Sequence, residues 1–107
     1  MEEESSEKRK FRRYPAALEV IVYQGGGTAL GQIVQISRGG CLLKMPPPAV
    51  AQGLEMRLTF SLCADLPRIN CKGEAIYYIA DRGTGVAFKE ISVHYQDLIT
   101  SHFEKQP

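Results

Sequence analysis

Residues 54–62 read LEMRLTFSL, and this stretch carries the most regular pattern in the chain. Apolar residues stand at every second position from Leu54 to Leu62, and polar residues stand between them. This period of two is that of a β-strand with one dry face and one wet face. The pattern therefore predicts a strand over residues 54–62.

Five further segments have the composition of strands. Residues 17–24, 30–36, 41–45, 69–79 and 85–88 are rich in β-branched, aromatic and other apolar side chains. Turn-forming residues separate them, namely the glycines at 25–27, residues 37–40, the prolines at 46–48 and residues 81–84. Short strands at regular spacing, with no helix between them, predict an all-β protein built as an antiparallel barrel or sandwich.

The hydrophobic period changes near the C-terminal end of the sequence. The side chains there follow the helical spacing i, i+3, i+4, i+7 and i+8, namely Tyr95, Leu98, Ile99, His102 and Phe103. Ser92 precedes them as an N-cap, because its hydroxyl can accept a hydrogen bond from an amide of the first turn. We therefore expect the chain to close with one amphipathic α-helix, on which His102 packs half-buried.

Size and composition restrict the class of protein. The 107 residues and the mass of 11.9 kDa are those of one domain, which excludes a multidomain enzyme or a membrane bundle for this sequence. With 44% hydrophobic and 23% charged residues, the chain has the composition of a folded soluble domain. It contains no long apolar run and begins with acidic residues, so we expect no secretion signal, no membrane insertion and a cytoplasmic location.

Charge is distributed unevenly along the sequence. Four of the 12 acidic and five of the 13 basic residues lie before Tyr14, so the rest of the chain is neutral. Residues 1–7 are expected to form a disordered acidic tail, and residues 8–14 a basic arm. A single domain is expected over residues 8–104. Its neutral strands argue against a nucleic-acid-binding barrel, which would need a basic stripe.

The residues offer little for catalysis. His94 and His102 are the only histidines, and neither lies near a candidate nucleophile or a carboxylate pair in the sequence. Cys41, Cys63 and Cys71 lack C-x-x-C spacing and lie in apolar segments, which predicts buried reduced thiols and no disulfide or zinc site. Phosphate-loop and dinucleotide motifs are also missing. We therefore expect no enzymatic activity, no metal and no cofactor.

The basic arm has the residue types of an anion-binding segment. Arg9 and Arg13 are separated by three residues and enclose Phe11, just before the first strand. Two guanidinium groups on one short segment can fork onto phosphate oxygens or onto the O6/N7 edge of guanine, and can stack on a base. Lys8 and Arg12 can add phosphate contacts or general electrostatic attraction. A solvated charge run is the alternative interpretation.

Read together with residues 35–40, the arm resembles the PilZ domain, a family of small bacterial β-barrels that bind cyclic di-GMP. Residues 9–13 match its R-x-x-x-R arm, and Ser37 and Gly40 match its D/N-x-S-x-x-G turn. The resemblance covers about residues 7–103. It implies a six-stranded antiparallel barrel with one C-terminal helix, whose arm folds over the outer face and traps the dinucleotide against the serine turn.

The resemblance also implies a set of ligand-binding residues. These are Arg9, Arg13, Gln35, Ser37 and Gly40, with Lys8 and Arg12 as further contacts. Gln35 stands where the family has Asp or Asn, so its amide lies one methylene further out. The resemblance implies that the Asp or Asn side chain of the family accepts hydrogen bonds from N1 and N2 of a guanine. A displaced acceptor at this position costs roughly 1 to 3 kcal/mol of binding free energy.

Three functions follow as hypotheses. The first is a cyclic di-GMP receptor without a catalytic step, which orders its arm from about Glu7 to Tyr14 on binding and signals through contact with an unknown downstream protein, as a monomer or a homodimer. The family suggests motility, pilus or polysaccharide machinery. The second is a PilZ-like adaptor that binds a protein without nucleotide, which the departure at Gln35 favours. The third is a small barrel that binds RNA or single-stranded DNA through the arm.

Overall fold

Six antiparallel strands and one helix build the part of the chain that the computed structural model describes, residues 11–45 and 53–104. The elements are β1 (Tyr14–Gln24), β2 (Gly27–Ile36), β3 (Gly40–Lys44), β4 (Glu55–Phe60), β5 (Ile69–Ile79), β6 (Gly83–Glu90) and α1 (Val93–Glu104). The strands form a closed barrel in the order β1-β2-β3-β6-β5-β4, and β4 pairs with β1 to complete it. The predicted six-stranded antiparallel barrel with a C-terminal helix is confirmed.

The hairpin between β1 and β2 is tighter than the sequence predicted. Gly25 and Gly26 adopt φ angles of 56° and 81°, the left-handed pair that a two-residue hairpin turn requires. Pairing therefore continues to Gln24 and Gly27, and β2 begins at Gly27, before the expected start at residue 30. β1 also begins early, at Tyr14, where residue 17 was expected.

The core lies inside the barrel and beneath α1. Strand β4 contributes Met56, Leu58 and Phe60, all buried as the alternation predicted. Leu54 was assigned to the same dry face, but it precedes β4 and is 42% exposed. Each fully buried aliphatic side chain contributes roughly 1.5 to 3 kcal/mol, so the inward-facing residues supply the main stabilisation of the barrel.

The helix α1 packs across one end of the barrel. Its side chain Ile99 is fully buried in the core, and Leu98 and Phe103 are half-buried against it. The predicted N-cap is confirmed, because Ser92 Oγ accepts a hydrogen bond of 3.1 Å from the amide of Tyr95. His102 is half-buried, as expected, with its ring edge-on to Phe103 at 4.9 Å.

Candidate functional site

A cavity of about 290 Å³ lies on the outer face of the barrel, between the arm and the turn that joins β2 to β3. We call residues 37–40 the serine turn and this hollow the arm-turn cavity. Four of the predicted ligand-binding residues line it, namely Arg13, Gln35, Ser37 and Gly40. Its volume lies just below the usual range for ligand pockets, roughly 300 to 1,000 Å³. The structure thus brings together residues of the arm and of the turn that sequence reasoning had assigned to one site.

The serine turn is held by its own hydroxyl group. Ser37 Oγ accepts a hydrogen bond of 3.1 Å from the amide of Gly39 and donates one of 3.4 Å to the carbonyl of Gly40. The amide of Ser37 also donates to the carbonyl of Gly40, at 2.9 Å. Ser37 therefore fixes the backbone shape of the turn, and only part of the hydrogen-bonding capacity of its hydroxyl remains for a ligand.

Close packing explains the two glycines of the serine turn. A Cβ atom on Gly40 would collide with the carbonyl oxygen of Val86, because β3 and β6 approach closely there. A Cβ atom on Gly39 would lie 2.9 Å from Cδ2 of Phe11, whose ring rests on the turn. Gly40 is therefore needed for the barrel itself, while Gly39 allows the arm to contact the turn.

A β-bulge places Gln35 on the outer face of the barrel. Ile33 pairs with Leu43, and Gln35 pairs with Leu42, so β2 accommodates one extra residue, Val34. Both Ile33 and Ile36 can then point inward, although they are three positions apart. Strict alternation would instead have turned Gln35 inward, and the bulge re-aims it toward the arm-turn cavity. The side-chain amide of Gln35 forms no hydrogen bond with another described residue, so this group is available to a ligand.

The two adjacent arginines of the arm point to different partners. Arg13 lines the arm-turn cavity, is exposed, and forms no ion pair with a carboxylate of the described residues. Nη1 of Arg12 lies 3.5 Å from Glu104 Oε2, and Cζ of Arg12 lies 5.9 Å from the centroid of the Tyr14 ring. The structure therefore directs Arg12 to α1 and leaves it out of the cavity lining, while Lys8 and Arg9 lie outside the described residues.

Sequence reasoning missed the opposite wall of the cavity, which β5 and β6 form. Tyr77 is 37% exposed there, and its ring covers Gly85 so closely that a Cβ atom on that glycine would collide with it. The extra residue Ile76, in a bulge between Ala75 and Tyr77, turns the ring to the outer face. A glycine opposite an aromatic residue in a hairpin was the available sequence signal.

A second, wider depression of about 590 Å³ lies elsewhere on the barrel. Leu30, Lys44, Tyr78 and Asp81 are among the residues that line it. Arg12, Arg13, Gln35, Ser37 and Gly40, the described residues that were expected to bind a ligand, do not line it. The larger volume alone does not make it the functional site, because its described lining contains no arginine that could fork onto a phosphate or a guanine edge.

The lining of the arm-turn cavity includes one buried thiol. Cys41 borders the arm-turn cavity, and burial raises its pKa, so the thiol stays protonated and is a poor nucleophile. Burial likewise raises the pKa of Cys71 to about 12. Both are buried free thiols, whereas Cys63, expected to be buried too, is half-buried. Within residues 11–45 and 53–104, no three His, Cys, Asp or Glu side chains are grouped to hold a metal ion.

Comparison with known proteins identifies the family of the chain. A sequence model of the PilZ domain matches residues 7–105 of the chain. The chain belongs to the PilZ domain family. A search of curated proteins found no match for this PilZ domain. In the described part of the chain, no helix combines the length and apolar character that a membrane crossing requires.

Solved structures share the fold of this PilZ domain. The inhibitor of motility MotI (DgrA) of Bacillus subtilis matches with a TM-score of 0.78 and 18% identity, over 92% of this chain and 50% of MotI. PlzA of Borreliella burgdorferi, in complex with c-di-GMP, matches with a TM-score of 0.69 and 17% identity, over 94% of this chain and 43% of PlzA. The PilZ domain of CeSA from a cellulose-synthesizing bacterium matches with a TM-score of 0.58 and 24% identity, over 87% of this chain and 96% of the CeSA domain. The chain thus spans about half the length of MotI and of PlzA.

Proposed function

We propose that this PilZ domain binds cyclic di-GMP in the arm-turn cavity and acts as a receptor. The observation that carries the proposal is the convergence of Arg13, Gln35, Ser37 and Gly40 on one outer-face cavity. The solved complex of PlzA with c-di-GMP, which shares the fold, adds support. The cavity lining includes Arg13 of the arm and Ser37 of the turn, so a ligand held there contacts both segments.

Each side chain of the cavity has a distinct role in this proposal. Arg13 forks onto a phosphate or a guanine edge, with Arg9 as its counterpart on the arm. Gln35 accepts a hydrogen bond from the base, at a reach one methylene longer than in the family pattern. Tyr77 offers the face of its ring to the base, which stacking favours by roughly 1 to 3 kcal/mol.

The magnitudes allow a complex of moderate affinity. A micromolar dissociation constant requires about 8 kcal/mol. Charge-assisted hydrogen bonds contribute roughly 1.5 to 3 kcal/mol each, and ordering a segment subtracts roughly 2 to 5 kcal/mol. With two such bonds from each of Arg9 and Arg13 and one base stacked on Tyr77, the contacts contribute roughly 7 to 15 kcal/mol before the cost of ordering, and the net value brackets the required one. Loss of either arginine therefore abolishes measurable binding.

Binding also orders the arm and changes the surface that a downstream protein meets. Phe11 already rests on Gly39, and Tyr14 already begins β1. In this proposal the arm closes over the ligand and brings Arg9 onto it. The signal leaves by contact with that protein, in a motility, pilus or polysaccharide system.

Isothermal titration calorimetry with cyclic di-GMP tests the proposal. The native chain is expected to release or absorb heat with a saturable isotherm, and Arg13→Ala is expected to lose it. Gln35→Asn shortens the side chain by one methylene and is expected to bind about tenfold more tightly than the native chain. Arg82→Ala is the matched control, because Arg82 is exposed and lies outside the cavity lining. An isotherm unchanged in Arg13→Ala would refute this site.

A nucleotide-independent adaptor is the second candidate function. The observation that favours it is a run of four consecutive exposed apolar and aromatic residues, 76–79, at the end of β5. Such a run on a soluble domain is typical of a protein-binding surface. Two results together would favour this function over the receptor. The chain would capture a partner protein equally well with and without cyclic di-GMP, and calorimetry would detect no heat of cyclic di-GMP binding.

A further inference from the structure

The serine turn is anchored to α1 through its central residue, Arg38. Nη1 of Arg38 donates hydrogen bonds to Asp97 Oδ1 at 2.9 Å and to Thr100 Oγ1 at 3.1 Å. Nε2 of Gln96 donates one of 2.8 Å to the main-chain carbonyl of Arg38. One turn of α1 therefore holds both the side chain and the backbone of Arg38. Since Ser37 is its neighbour, these contacts also fix the position of the serine hydroxyl.

The arm is anchored to the last turn of the same helix. Tyr14 Oη donates a hydrogen bond of 2.6 Å to Glu104 Oε2, and the ring of Tyr14 stacks on Phe103 with 5.3 Å between centroids. Nη1 of Arg12 lies 3.5 Å from the same carboxylate oxygen. Arg13 stands between these two anchored residues. Its position relative to the barrel therefore depends on the last turn of α1.

The helix thus connects the two halves of the arm-turn cavity without lining it. Asp97 and Glu104 are two turns apart, about 10 Å along the helix axis. Ile99 lies between them and is fully buried in the core, which fixes α1 on the barrel. A movement of α1 would shift Arg13 and Ser37 relative to each other. The affinity of a ligand that contacts both must depend on where α1 is docked.

We propose that α1 is a brace for the nucleotide site, and that Arg38 and Glu104 are its positioning residues. This inference rests on the proposed function and adds a regulated element to it. Ligand binding and α1 docking stabilise each other, because thermodynamic coupling between two sites is reciprocal. A ligand in the cavity therefore protects a helix that it does not touch, and weaker docking of α1 lowers the affinity for the ligand.

Calorimetry on variants of the Arg38 contact provides the first test. Asp97→Asn removes the charge that faces Arg38, and Arg38→Ala removes the whole contact. We expect Asp97→Asn to weaken cyclic di-GMP binding about fivefold. The double variant Arg38→Ala with Asp97→Asn is expected to bind no more weakly than Arg38→Ala alone, because both changes remove the same contact. Glu90→Gln is the matched control, since it breaks an exposed ion pair of 3.7 Å with Lys72 away from the cavity.

Hydrogen exchange of the α1 backbone amides provides the readout that separates a brace from a purely structural helix. Saturating cyclic di-GMP is expected to slow exchange in α1 of the native chain, and to slow it much less in Asp97→Asn, which keeps the side-chain volume. Native affinity in Asp97→Asn, with α1 exchange indifferent to ligand, would overturn the brace and leave the receptor standing. A native chain that binds no cyclic di-GMP would overturn both.

Discussion

Replacement of Tyr77 tests the recognition of the base. The ring covers Gly85, and 37% of the residue remains exposed at the cavity wall, so part of the side chain is accessible to a guanine. Stacking of one base on an aromatic ring contributes roughly 1 to 3 kcal/mol, which corresponds to a factor of about 5 to 150 in affinity. Tyr77→Leu keeps an apolar cover over Gly85 but lacks the π-face, and should lose this factor. Tyr77→Phe should retain it.

Titration calorimetry at fixed salt measures these affinities, and thermal unfolding shows whether each variant keeps the barrel. Tyr78→Leu is the matched control, because Tyr78 is the next residue, is 55% exposed and lines the other depression. Equal affinity in Tyr77→Leu and the native chain would refute stacking on this ring. An equal loss in Tyr78→Leu would show that the effect does not come from the arm-turn cavity.

Three further outcomes concern the stability of the domain. Gly40→Ala should lower the free energy of unfolding by at least about 2 kcal/mol through overpacking. Gly27→Ala, whose Cβ would meet the Gln24 carbonyl oxygen at an unstrained 3.9 Å, should change it by less than about 1 kcal/mol, and urea unfolding measures both. Ser92→Ala should cost about 1 kcal/mol because α1 loses its N-cap, and retention of native stability in the same assay would contradict that role. Burial raises the pKa of Cys71 from 9.0 to about 12, so the folded state keeps a proton that the unfolded state releases. Stability should therefore fall by about 1.4 kcal/mol per pH unit above about pH 9 for this thiol, and the fall should be smaller in Cys71→Ala.

Local sequence patterns were sufficient for most of the fold. The alternation over residues 54–62 located β4, and the helical spacing from Tyr95 to Phe103 with Ser92 before it located α1. Strand ends were less predictable, because they depend on the partner strand. Pairing with β2 lengthens β1 back to Tyr14, and the left-handed pair of glycines extends both strands to the hairpin.

The candidate site was predictable only where its residues follow one another along the chain. The arm and the serine turn are short motifs, and Arg13, Gln35, Ser37 and Gly40 indeed meet at one cavity. The outward direction of Gln35 depends on the bulge at Val34. This bulge arises from packing across the barrel, so the residue types of β2 alone do not predict it. Strict alternation from Ile33 would have turned Gln35 inward.

Long-range contacts explain the remaining differences. Tyr77 reaches the cavity through its pairing with Gly85 and through the extra residue Ile76, both of which require the register of β5 and β6. Arg12 turns away from the cavity because Glu104, at the far end of the chain, lies beside it. Neither feature can be inferred from the spacing of residues in the arm.

A crystal structure of the chain grown with saturating cyclic di-GMP would show directly where the nucleotide binds. The ligand is expected in the arm-turn cavity, with the Arg13 guanidinium on a phosphate or a guanine edge and one base stacked on Tyr77. A structure with this cavity empty, or with the nucleotide bound in the depression beside Tyr78, would contradict this expectation.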